Sequence, residues 1–153
     1  MTDLTRLLAH DMADRLRSGD ISSRELTEAH LDLADRQNDG LHAWLSIDRD
    51  RALAEADAAD GRIRAAREAG TSALGELHPM LGIPVALKDL VSVAGGQCTA
   101  GSRILDGYRS PYDAHITERL RDVGAVILGK TNMSWRVVPS GNGTEYNGYD
   151  APS

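Results

Sequence analysis

A chain of 153 residues, 41% hydrophobic and 26% charged, has room for one packed domain, and disorder, collagen-like repeats and coiled coil are excluded. Its 23 acidic residues outnumber 17 basic ones for a net charge of −6, the wrong sign for a chain that itself grips a phosphate backbone. One cysteine, Cys98, excludes an internal disulfide and a multi-cysteine zinc site, and with no long apolar run and a start that mixes in Asp3 and Arg6, the chain is expected in the cytoplasm and not in a membrane.

Residues 1–70 read as helical. Leu4, Leu7, Leu8 and Met12 recur at helical spacing until Gly19-Asp20. Ser22-Ser23-Arg24-Glu25 is a capping box opening a second helix, whose face of Leu26, His30, Leu31 and Ala34 runs to Asn38-Asp39-Gly40. A third helix is expected from Asp48, alanine-rich from Ala52 to Ala69 and stopped by Gly70. A loop from Leu74 to Met80 follows. Residues 81–133 then read as strand, loop, helix, strand. Ile83–Leu87 is a short apolar run ending in Lys88-Asp89, and the Gly-rich loop to Pro111 has room for a short strand at Leu90–Val93. Tyr112–Val123 has a helical face of Ile116, Leu120 and Val123, and Ala125–Leu128 is a second buried strand. That order predicts a right-handed crossover between two parallel strands, hence an α/β fold whose sheet is visibly incomplete. Residues 134–153 carry no period and are expected to be irregular.

Gly124-Ala125-Val126-Ile127-Leu128-Gly129-Lys130-Thr131 matches the phosphate-loop pattern letter for letter, but its context is wrong. A phosphate loop needs a strand before the first glycine and free amides between the glycines, whereas here a helix precedes and the intervening residues are the strand. Only Lys88 and Lys130 are lysines among the 17 basic residues, so each merits attention. Lys88 ends a predicted buried strand, at the sheet edge where ligand sites form. Burial would make a neutral amine accessible there, a base for a hydroxyl nucleophile. The alternative is a strand-end lysine paired with Asp89 or extended to solvent, the commoner outcome on local grounds. Lys130, before Thr131-Asn132, reads as structural. His10, His30, His42, His78 and His115 share no metal-ligand spacing; His30 belongs on a helix face and His115 in a helix first turn. Ser92, Ser102, Ser110, Ser134 and Ser140 lie in no G-x-S-x-G elbow.

Three stretches together, Gly82–Asp89, Thr99–Ser102 and Tyr112–Asn132, resemble the amidase signature family. The run Ile104–Asp113 is most similar to the branch of that family formed by the glutaminase A subunits of tRNA-dependent amidotransferases. The resemblance covers most of residues 1–133 and implies the amino-terminal part of a single amidase domain, with helices followed by the first strands of a mixed sheet. It implies amide hydrolysis by a Ser-Ser-Lys triad in which Lys88 is the lysine. It implies B and C partner subunits, with tRNA met only through the complex. ATP and magnesium would be used by the B subunit, and no cofactor or metal is expected in this chain.

Both family serines belong to segments after the stretch that matches Lys130-Thr131-Asn132, so these residues alone are expected to be inactive. Ser134–Glu145 departs from the family pattern Asp-Glu-Phe-Ala-Met-Gly-Ser-Ser-Thr-Glu. It reads either as a divergent in-frame version, with Gly143-Thr144-Glu145 in place of Ser-Thr-Glu, or as an out-of-frame continuation. Two other functions stay open: a free-standing amidase acting on another small amide, and a non-catalytic module that binds a complementary subunit.

Overall fold

The computed structural model describes residues 3–135 and 146–147. Asp3 caps a 3-10 turn, Leu4–Arg6, by accepting from Thr5 N, and α1 follows at Ala9–Ser18. The single helix expected from Leu4 onward is therefore broken at Leu7-Leu8, where the backbone is extended. The break turns Leu4 and Leu7 onto the core and leaves Leu8 exposed. Gly19 ends α1 in the left-handed conformation at φ 81°. Arg67 lies against it and donates to Leu16 O and Arg17 O at 2.8 and 3.0 Å. A side chain at position 19 would occupy the space of that guanidinium.

Helix α2, Ser23–Leu41, opens with the expected capping box: Glu25 N donates to Ser22 Oγ at 3.1 Å and Ser22 N to Glu25 Oε2 at 2.8 Å. That bond from the Ser22 amide, with a second from its hydroxyl, holds the Glu25 carboxyl below its ordinary value. The next two amides reach across the molecule, Ser23 N and Arg24 N donating to Asp60 at 2.7 and 3.1 Å. The helix runs past the expected stop, with Gly40 inside it and His42 as the left-handed residue at φ 46°. Asn38, expected at the helix end, instead uses both ends of its amide on Trp44 N and Trp44 O. It thereby fixes the start of β1, Trp44–Ile47, a strand the sequence did not announce.

Asp48 caps α3, Arg49–Ala69, as expected, and Gly70 closes it. Its buried stripe is Ala52, Ala56, Ala59, Ile63 and Ala66, small side chains that let the helix lie close to its neighbours. A short helix α4, Thr71–Glu76, takes up part of the expected loop. Strand β2, Pro84–Lys88, pairs in parallel with β3, Val126–Thr131, across the crossover helix α5, His115–Asp122. Strand β1 adds to the other side of β3 antiparallel, so the sheet is mixed with order β1-β3-β2.

Two expectations in the crossover are corrected. Leu90–Val93 is not a strand; Val91 N turns back to Lys88 O at 2.9 Å, and the bridge within the loop is Gln97 to Arg109. Helix α5 starts three residues later than predicted, since Asp113 is engaged by Ala94 N at 2.6 Å and by Arg121, and the backbone reaches helical geometry only after Ala114. The expected irregular tail falls largely on residues 136–145 and 148–153, which lie outside the described residues. Its described positions pair as two short antiparallel strands, β4 (Ser134–Trp135) and β5 (Tyr146–Asn147).

Leu31 of α2, Ala52 and Ala56 of α3, and Val126 and Leu128 of β3 cover one face of the sheet. Leu87, Val93 and Ile127, with Leu120 of α5 against them, form the other. A third cluster of Met12, Leu16, Leu26 and Ile63 ties α1, α2 and α3 to Leu81 and Ile83 just before β2. Each fully buried leucine here contributes about 2 kcal/mol of transfer free energy.

Candidate active site

The parallel strands deliver their carboxyl ends side by side, with Lys88 opposite Thr131. Between Val85 and Ala86 the pairing steps over one residue of β3, Leu128. This bulge resets the alternation, so that Ile127 and Lys130, three positions apart, stand opposite Val85 and Leu87 on one face. Lys88, one residue beyond Leu87, belongs to the opposite face.

The two lysines consequently have opposite fates. Lys88 is exposed, the outcome that local grounds favoured; its Nζ donates to Asn132 O at 3.4 Å. Lys130 is the buried one, 3% exposed, with Nζ 2.9 Å from Gln97 O, 3.3 Å from Asp89 O and 3.5 Å from Asp89 Oδ1. Asp89 is wholly buried and pairs with Lys130, not with Lys88. Its Oδ2 accepts from Thr99 N at 2.8 Å and from the Thr99 hydroxyl, while its amide donates to Thr131 O at 3.0 Å. The Thr131-Asn132 that follows Lys130 had given it a structural use. The Asp89–Thr99 connection was not read from the sequence, and the only signal for it was an aspartate directly after an apolar strand.

The loop after Asp89 is built, not slack. Ser110 is buried and exchanges backbone bonds with Gly95 and Gly96 at 2.7 and 3.0 Å, and Thr117 Oγ1 of α5 holds Ser92 O at 2.8 Å. Ser102 caps a 3-10 turn at Arg103–Leu105, and Ser110 Oγ donates to Tyr112 O. Ser92 Oγ is 3.9 Å from the buried Cys98 thiol. None of Ser92, Ser102 and Ser110 is bonded to Lys88 among the described residues; Ser140 lies outside them. His30 sits on α2 with Nδ1 at 2.8 Å from Leu26 O, and His115 begins α5, as expected for both. Among the described residues no group of His, Cys, Asp or Glu has the arrangement of a metal site, and no helix is long and apolar enough to cross a membrane.

The phosphate-loop match is the turn and strand it was read as. Gly124 follows α5, while Gly129 and Lys130 lie within β3, where Gly129 faces the backbone of Ser46 and Ile47 too closely for any side chain. An apolar hollow of about 140 Å³ lies between α2 and β1, with Leu33, Leu41, Trp44 and Leu128 in its wall.

Comparison with known proteins gives this arrangement a context. The Amidase family model matches residues 25–149, which takes in most of the tail. The chain is 46% identical over 149 residues to the A subunit of the glutamyl-tRNA(Gln) amidotransferase of Salinispora arenicola, covering 97% of this chain and 28% of that protein. It is 40% identical over 149 residues to the protein of the same name from Streptomyces coelicolor, with the same coverage. It thus spans little more than a quarter of the length of these curated relatives. Among solved structures, the native peptide amidase of Stenotrophomonas maltophilia superposes with a TM-score of 0.71 at 37% identity, over 84% of this chain and 25% of that one. The mixed α/β arrangement of helices and a three-stranded sheet is therefore a part of the amidase fold.

Proposed function

This chain belongs to the amidase family, and on that premise we propose that the protein it forms part of hydrolyses a carboxamide, with Lys88 as its base and glutamine as the amide. The observation that carries the reading is 46% identity, across 97% of the chain, to the A subunit of a glutamyl-tRNA(Gln) amidotransferase. Attack by a serine hydroxyl on a stable amide requires a base that can take the proton, and a neutral lysine can do so where arginine cannot. Lys88 meets the need for reach, since its side chain is exposed at the sheet's carboxyl edge. The released ammonia would pass to a B subunit that activates mischarged tRNA with ATP and magnesium, braced by a small C subunit, in the cytoplasm. The likeness to a peptide amidase supports a second reading, in which the amide is a peptide carboxamide.

The test is a hybrid in which residues 1–133 of this chain replace the matching part of the S. arenicola protein, co-produced with that protein's partners. Ammonia release is measured from glutamine, asparagine and a peptide amide. Release from glutamine is expected, falling about a thousandfold or more in Lys88→Ala. Lys88→Arg should not restore it. Preference for the peptide amide selects the second reading, and a Lys88→Ala hybrid with full activity overturns both.

A further inference from the structure

We infer that Asp89, Lys130 and Thr99 are positioning residues whose buried cluster sets the direction in which Lys88 leaves β2. The inference rests on the reading of Lys88 as the base. Asp89 follows Lys88 directly, and every polar group of Asp89 except Oδ1 is hydrogen-bonded. Its amide is held by Thr131 O at 3.0 Å, its carbonyl by Lys130 Nζ at 3.3 Å, and its Oδ2 by the amide and hydroxyl of Thr99. Among the described residues Oδ1 finds no hydrogen-bond partner, and it faces the Lys130 ammonium at 3.5 Å. The residue directly after β2 is thus held through both of its flanking peptide units, by Thr131 O on one side and Lys130 Nζ on the other. The Lys88 side chain, by contrast, has among the described residues a single long bond, to Asn132 O at 3.4 Å. What aims this side chain is the backbone beneath it.

The cost of the arrangement argues that it does more than hold the fold. Lys130 and Asp89 are 3% and 0% exposed, and an ion pair so buried loses about as much in desolvation as it recovers, so that apolar residues of the same volume commonly serve stability as well or better. A charged pair does something an apolar pair does not: it has one geometry. Lys130 also bonds Gln97 O at 2.9 Å, and Thr99 Oγ1 accepts from Gly101 N at 3.3 Å. The cluster therefore joins the end of β2, the inside of β3 and the far side of the loop over residues 90–98. Displacing a reacting group by about 1 Å is enough to lose a hundredfold in rate.

The hybrid described above supplies the assay. Thr99→Val removes the hydroxyl with little change of volume, Lys130→Met removes the cation, and Thr99→Ser keeps the hydroxyl. Thr99→Val and Lys130→Met are expected to lower kcat about 10- to 100-fold with KM little changed, and Thr99→Ser to restore kcat, in proteins that still melt cooperatively. A role in packing alone would leave kcat of the folded fraction untouched and would not distinguish serine from valine. Should Lys130→Met fail to fold, Thr99→Val against Thr99→Ser decides. Parental kcat in folded Thr99→Val, with Lys88→Ala inactive, overturns the inference and leaves the base intact. Activity retained in Lys88→Ala removes the base, and with it anything for the cluster to aim.

Discussion

Gly129→Ala is a small change with a large expected effect. An alanine Cβ would sit 2.2 Å from Ser46 O and 2.9 Å from Ile47 Cα, both backbone atoms of β1. An ordinary contact needs about 3.5 Å, so β1 must withdraw by roughly 1 Å. Hydrogen bonds stretched that far no longer count as bonds. Strand β1 pairs with β3 at Trp44, Ser46 and Ile47, and each net bond lost costs about 1 kcal/mol, with looser packing of Trp44 and Ile47 added. The sum is about 3–4 kcal/mol, a large part of the 5–15 kcal/mol typical of a domain. Urea unfolding followed by far-UV circular dichroism should show that loss, and thermal unfolding a fall of about 10 °C. Gly75→Ala is the control: no described residue lies within 4 Å of its Cβ position and it sits within α4, so it should be neutral or slightly stabilising. If Gly129→Ala melts with the parent protein, the close approach of β1 does not explain the glycine. The same geometry accounts for the phosphate-loop coincidence: Gly129 makes room for a strand, not for a phosphate.

Two further predictions concern α2. Asp60→Ala removes the acceptor for Ser23 N and Arg24 N and should cost about 1–2 kcal/mol in denaturant unfolding, with Asp60→Asn losing less; no change would mean that water replaces the carboxylate freely. The Ser22 amide holds the Glu25 carboxyl below its ordinary 4.5, so its stabilisation is complete above that pH and is lost as pH falls through the lower folded value. In Glu25→Gln the decline of melting temperature below pH 4.5 should accordingly be shallower, and an unchanged slope would dismiss the cap as a titrating element.

What could be read from the residues depended on how local the physics was. The capping box at Ser22 and the Asp48-to-Gly70 span of α3 are set by neighbours three or four positions away, and both were legible. Trp44–Ile47 was not, because four residues between two helices carry no period and become a strand only by pairing with β3, far along the chain. The stop at Gly40 misled for a similar reason: Asn38 serves β1, and the helix continues to His42. At the site, Lys88 at a strand end was visible, but the pairing of Asp89 with Lys130 was not. Which lysine is buried was decided by the bulge at Leu128, a feature of pairing between strands that no spacing within either one reveals.

The strand order has a consequence for how the molecule is made. Strand β3 lies between β1 and β2 yet is the last of the three to leave the ribosome, so neither edge strand has a partner until residue 131 exists. The cluster of Met12, Leu16, Leu26, Ala59 and Ile63 is complete much earlier and closes over Leu81 and Ile83 without β3. Local helical contacts form fast, and pairings across long loops form slowly. The helices therefore assemble as a waiting platform, and the nascent chain carries two unpaired strands while residues 89–131 are added. That interval, more than the finished fold, is when this sequence is open to wrong pairing with another chain.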